Sequence, residues 1–351
     1  MQPFHFLFSS LFLMVDPIFS SFGSLIIDDI RYPDGREEHD ILGGAGIYAI
    51  YGMRVWLKPP ESRKIAYLAQ EGYDLPLEVE QQLDSLEITL QHVRHEDMPT
   101  TRGLNIFGAN DHRDFEYIHP IIRITAMDPP LSWVKSVKVI HIICAPERAI
   151  DIVTQWRARA DCAPAKFVWE PLPWACLPKA YDVVCKAAQL MDVVTPNHEE
   201  AAALLNIQQP GDTAQSIEKY SQTLFDDFFI HNPYSKTSTT TTTTTPKSLI
   251  VRAGKRGAVV YSTDHTTPRW VPAYWSKDPQ HVRDVTGAGN TFCGGLCVGL
   301  EECNMDPYKA CFYGAVSASF AVEQVGLPTC DENGQWNHGK QARERLQEMM
   351  E

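Results

Sequence analysis

The sequence predicts an α/β fold, a mostly parallel sheet with helices on both faces and a small β lid. Short apolar runs rich in β-branched residues alternate with longer helical patterns, the signature of parallel strands buried on both sides. Two stretches, Arg31 to Asp40 and Thr100 to Ile124, break that rhythm with turn-rich and short extended pieces, which supply the lid. The chain has 351 residues, 44% hydrophobic and 21% charged, a globular composition with enough chain for one large domain or two smaller ones.

In chain order, residues 1–21 read as an apolar extension around Phe4 to Val15, FHFLFSSLFLMV. That run is too short to cross a bilayer and lacks the basic residues that open a secretory signal. The domain is expected over 22–335, with Ser24 to Ile30 as its first strand, then Lys64 to Ala69, Lys138 to Cys144, Ala165 to Trp169, Met191 to Thr195, Leu249 to Arg252 and Ala258 to Tyr261. Lid pieces are placed at about 31–42 and 98–124. Within 232–248 a run of threonines from Thr239 to Thr245 buries nothing and reads as a loop insertion, because a strand follows it. Residues 336–351 form a charged, helical tail.

Lys and Arg number 31 against 44 Asp and Glu, a net −13 that opposes any nucleic-acid surface. Nine cysteines without a C-x-x-C pair point to a reducing compartment, hence the cytoplasm, and no membrane span is present. Cys293 and Cys297 lie four apart and could share a helix face as a metal pair, but free cysteine more often packs as a small hydrophobe.

Four motifs carry chemistry. Asp284 to Gly295, DVTGAGNTFCGG, is a glycine-rich turn opening an apolar helix, where freed backbone N–H groups and the helix dipole make an anion site. Gly294 and Gly295 inside that helix cost roughly 1 kcal/mol each relative to Ala, which implies a close backbone approach. Gly43 to Gly46, GGAG, runs into another helical pattern; GAGIYA matches a dinucleotide fingerprint loosely, with Glu71 as its acidic residue, and that reading predicts NAD binding. Thr195 to Glu200, TPNHEE, reads either as a capping box between Asn197 and Glu200 or as a water-mediated magnesium shell. LIVRAGKRGAVVY, from Leu249 to Tyr261, is two strands joined by a hairpin turn. His92 and His95 fit a solvated helix end, His281 a surface strand end, and a G-x-S-x-G hydrolase elbow is missing.

In this order and spacing the motifs resemble the PfkB (ribokinase-like) carbohydrate kinase family over roughly Phe22 to Pro328. The resemblance implies a ribokinase-like three-layer sandwich that moves the γ-phosphoryl group of ATP, with Mg²⁺, to a hydroxyl of a sugar or sugar-like molecule. It implies sugar contacts at Asp28, or at Asp29 beside it, and at Gly43, Gly44 and Gly46. Asn197, Glu200, Arg252, Gly254 and Gly257 would lie along the nucleotide, Gly287, Ala288 and Gly289 would form the anion hole, and metal ions would sit near Glu200 and Asp284, the latter monovalent, K⁺. An exposed lid edge implies a homodimer.

The departures matter as much. Asn290 stands where the family's signature ends in its catalytic aspartate, and a neutral amide cannot accept the substrate's proton. Asp284, Glu200 and Asp28 are the other acids expected around the cleft. Ala45 and Tyr48 replace a polar pair, and Arg252 stands where a Thr is common. Two readings follow, a carbohydrate kinase and a catalytically impaired pseudokinase that binds a nucleotide or metabolite.

Overall fold

The computed structural model describes residues 15–107, 113–234 and 246–351. Phe4–Met14 and Thr239–Thr245, which carried two of the expectations above, lie outside them. In chain order the strands are β1 (Phe19–Ser21), β2 (Ile26–Arg31), β3 (Glu37–Gly43), β4 (Ile65–Gly72), β5 (Thr89–His95), β6 (Arg102–Phe107), β7 (Arg113–Tyr117), β8 (Val139–Cys144), β9 (Lys166–Pro171), β10 (Val193–Val194), β11 (Ser248–Arg252), β12 (Ala258–Ser262) and β13 (His265–Val271). The helices are α1 (Ala45–Arg54), α2 (Leu77–Asp84), α3 (Leu131–Ser136), α4 (Pro146–Ala158), α5 (Tyr181–Ala188), α6 (His198–Leu204), α7 (Ala214–Phe225), α8 (Ala288–Glu302), α9 (Pro307–Val322) and α10 (Ala342–Met350).

Nine strands form the main sheet in the order β13-β12-β11-β10-β9-β8-β1-β4-β5. It is parallel from β5 to β11 and antiparallel only where β12 and β13 fold back at one edge. Every residue of β4, β11 and β12 is buried, as strands covered on both faces require. Helices α1, α8 and α9 pack together as one layer, while α4 with α5 and α6 with α7 cover other parts of the sheet. The second sheet, β3-β2-β6-β7, is the expected lid.

Four expectations change. The main sheet's first strand is Phe19–Ser21, between β8 and β4, so the last residues of the supposed extension are central to the core and the domain starts before residue 22. Ser24 to Ile30 does contain a strand, but β2 belongs to the lid; only four residues separate β1 from β2. His92 and His95 lie on β5, not a helix end: His92 pairs with the buried Glu71 and with Asp84, and His95 Nε2 meets Gln70 Oε1 at 2.6 Å. The carboxyl-terminal segment is docked, with Trp336 buried and Arg345 donating to Ser319 Oγ and to Glu323 at 2.7 and 2.5 Å.

The glycines inside α8 have a packing cause. A Cβ on Gly294 would lie 2.0 Å from the Ala49 carbonyl oxygen of α1, and one on Gly295 would lie 2.2 Å from Ser317 Oγ of α9. Gly52 of α1 returns the contact, 2.1 Å from the Thr291 oxygen. Glycine thus lets three helix backbones touch, which fixes the start of α8 against α1. Gly294→Ala gains about 1 kcal/mol of helix propensity but must push α1 away, at an overpacking cost of about 1–3 kcal/mol or more. The expected result in a urea melt is a net loss of stability; an unchanged or higher midpoint would show that the helices do not meet so closely.

Candidate active site

The turn Asp284–Gly289 is built by its own side chains. Asp284 Oδ1 accepts from the Thr286 backbone N–H and from Thr286 Oγ1 at 3.0 and 2.8 Å, which tightens the chain before the helix. Gly287 then adopts φ +72° as the N-cap of α8, and a Cβ there would fall 2.2 Å from the Tyr48 ring, so both conformation and space demand glycine. The positive end of the α8 dipole lies at this turn, where the Ala288 N–H donates to the Val285 carbonyl at 3.2 Å.

Asn197 and Glu200 form the capping box. Asn197 Oδ1 accepts from Glu200 N at 2.8 Å, and the Glu200 carboxylate accepts from Asn197 N and Nδ2 at 2.7 and 2.8 Å. Burial raises the Glu200 carboxyl to about 7, against the opposing pull of Arg252. Beside it lies a group that sequence reasoning did not single out. Glu170, near the end of β9, accepts at Oε1 from Arg252 Nη1 at 2.7 Å and at Oε2 from Asn290 Nδ2 at 2.9 Å, and His141 Nε2 lies 3.3 Å from the same Oε2. Arg252 also donates to the Thr195 carbonyl at 3.0 Å and lies 3.7 Å from Glu200 Oε2. Although burial alone would raise it, Glu170 is held at about 2 by Arg252, His141 and Asn290. The signal in the sequence was an acid at the carboxyl end of a parallel strand, where ligands gather in open α/β sheets.

Asn290 is therefore tied by its amide to a buried ion pair. Gly289 fits against the same guanidinium, since a Cβ would stand 2.0 Å from Arg252 Nη1. Of the two neighbouring carboxyls, Glu170 is the more acidic, and Glu200 is engaged in its cap.

On the lid side, Asp28 accepts from Asn105 Nδ2 at 3.0 Å and lines a cavity of about 20 Å³ with Tyr48, Asp284 and Thr286, space for about one water. Asp29 points the other way and pairs with Arg102 at 2.8 Å, which separates the two neighbouring acids. Gly43 lies against the Asp28 carboxylate, while Gly44 and Gly46 pack on backbone of Ser24 to Ile26 and of Gly23. Gly254 and Gly257 form the β11–β12 turn, both at positive φ. The strand before GAGIYA is β3 of the lid rather than a strand of a βαβ unit, so the dinucleotide reading has no support, and Glu71 is occupied by His92. His281 is exposed and stacks on Trp275. A wider hollow of about 670 Å³ between Arg54, Cys330 and Trp336 contains none of these residues.

The donors do not fit a directly ligated magnesium ion: both Glu200 oxygens serve the cap beside a guanidinium, and Asp284 Oδ1 closes its own turn.

The sequence pattern of the pfkB family carbohydrate kinases matches residues 20–333. The chain belongs to the pfkB family. It is 30% identical to an uncharacterised protein of Schizosaccharomyces pombe, over 96% of this chain and 93% of the relative, and 27% identical to Protein MAK32 of Saccharomyces cerevisiae, over 90% and 87%. Its fold is similar to that of ribokinase from Giardia lamblia, with a TM-score of 0.68 at 18% identity, covering 89% of this chain and 96% of the other. This pfkB protein thus has a carbohydrate-kinase-like fold.

Arg252→Met would leave the Glu170 charge buried without its main partner, at a cost of about 3–5 kcal/mol. The double variant Arg252→Met with Glu170→Gln removes both charges and is expected to regain more than half of that loss in chemical denaturation. Equal losses in the single and double variants would mean that the pair is not coupled.

Proposed function

We propose that this protein binds a phosphate-bearing nucleotide, ATP in the first instance, at the Gly287–Ala288–Gly289 turn, with a small hydroxyl-bearing sugar-like ligand beside Asp28, and that phosphoryl transfer is impaired. The observation that carries this reading is the hydrogen bond from Asn290 Nδ2 to Glu170 Oε2 at 2.9 Å. On this reading, an amide donor locked to a paired carboxylate stands where the family resemblance expects a proton acceptor. Removal of a positioned base lowers rates by roughly 10²–10⁴.

The second reading, an active phosphotransferase, is favoured by the turn itself, whose N–H groups would stabilise charge on a transferring phosphoryl group. No helix among the described residues is long and apolar enough to cross a membrane, which suits either reading.

The discriminating variant exchanges the two side chains' chemistry. Asn290→Asp alone would set two carboxylates within hydrogen-bond distance, and one of them would hold a proton. Combined with Glu170→Gln, it keeps the buried charge count and moves the base to position 290. Transfer from ATP to pooled sugars, polyols and nucleosides is expected to rise roughly 10²-fold or more in the double variant, with ATP affinity little changed. If the unmodified protein already transfers as fast as the double variant, the impaired reading fails and the kinase reading stands.

A further inference from the structure

We propose that His141, Glu170 and Cys293 form a metal site in the floor of the cleft, suited to a soft divalent ion such as zinc. One donor atom from each, imidazole, carboxylate and thiol, lies within 4.8 Å of the others, and all three residues are buried. Tetrahedral zinc with bonds of about 2.0–2.3 Å separates its ligand atoms by roughly 3.3–3.6 Å. His141 Nε2 and Glu170 Oε2 already stand 3.3 Å apart, so closing the site requires a shift of about 1 Å, mainly at the cysteine. Thiolate, imidazole and carboxylate together select zinc over magnesium or calcium.

The scaffold is rigid. His141 lies on β8 and Glu170 on the adjacent parallel β9, while Cys293 comes down from the first turns of α8. Outer contacts of the kind that orient metal ligands are in place. His141 Nδ1 meets Ser21 Oγ, its cross-strand neighbour, at 3.0 Å, and Ser21 Oγ in turn accepts from the Gly23 N–H at 3.2 Å. Glu170 Oε1 is held by Arg252, which leaves Oε2 toward the histidine. Asn290, one turn before Cys293 on α8, has its side-chain amide against Oε2.

The Arg252 guanidinium is the main obstacle to a cation here. The Glu170 carboxylate and a Cys293 thiolate together match the charge of a divalent ion, and Arg252 keeps Glu200 as a second neighbour at 3.7 Å. Binding forms the metal–sulfur bond and releases the thiol proton to solvent, so no oxidant or further reactant is needed. Burial keeps the Cys293 thiol protonated without an ion, and coordination to the ion would deprotonate it outright. Cys297, one turn on, is a contrast: it is buried too, but burial is the sole influence on its thiol.

The test uses the full-length protein purified without chelator, dialysed against Zn²⁺ and then metal-free buffer, with bound metal counted by mass spectrometry. Roughly one zinc per chain is expected, and Co²⁺ substituted for it should give the near-ultraviolet sulfur-to-cobalt charge-transfer band of thiolate ligation. Cys293→Ser should abolish that band and weaken binding at least 100-fold, whereas Cys297→Ser should leave both intact. If Cys293→Ser does not fold, the band in the unmodified protein and its loss in His141→Gln decide instead. Metal below a tenth of an equivalent, a cobalt spectrum without the sulfur band, or loss of binding in Cys297→Ser would each overturn the site.

Discussion

The buried ion pair between Glu170 and Arg252 organises the cleft. Arg252 ends β11 and reaches across the end of β10, where the Thr195 carbonyl takes one of its N–H groups, to a carboxylate on β9. Two charges taken out of water need almost every lone pair and proton matched. The pair recruits its surroundings accordingly: Asn290 and His141 complete the carboxylate, and Gly289 leaves room for the guanidinium. The first turn of α8 is thereby held against this pair through Asn290 and Gly289.

Close helix packing supports that arrangement from the other side. Gly52 and Gly294 allow α1 and α8 to touch, and Tyr48, presented by α1, closes under Gly287. The lid meets this surface through Asp28 and Asn105 and leaves about 20 Å³ beside them. The proposed ligand beside Asp28 would therefore require the lid or Tyr48 to move.

Much of this was legible in the sequence because it is local. The alternation of strand and helix gave the parallel sheet, and the capping box at Asn197 and Glu200 is a three-residue spacing that folded as read. The glycines at 294 and 295 announced a close approach, although only the fold could say that the partners are α1 and α9. What escaped was non-local. The three residues Phe19–Ser21 carry too little pattern to show that they form a central strand, and β5 was hidden by histidines whose partners, Glu71 and Asp84, lie elsewhere in the chain. Glu170 showed in the sequence only as an acid at a strand end, because its meaning depends on Arg252 and Asn290, 82 and 120 positions away.

The most direct test is a calorimetric titration of the unmodified protein with ATP, with γ-phosphoryl transfer to pooled hydroxyl acceptors followed on the same sample. Saturable binding with transfer at least 10²-fold below the roughly 1–100 s⁻¹ of ordinary kinases is the predicted result. Transfer within that ordinary range would contradict the role assigned to Asn290, and absence of ATP binding would contradict the role assigned to the Gly287–Gly289 turn.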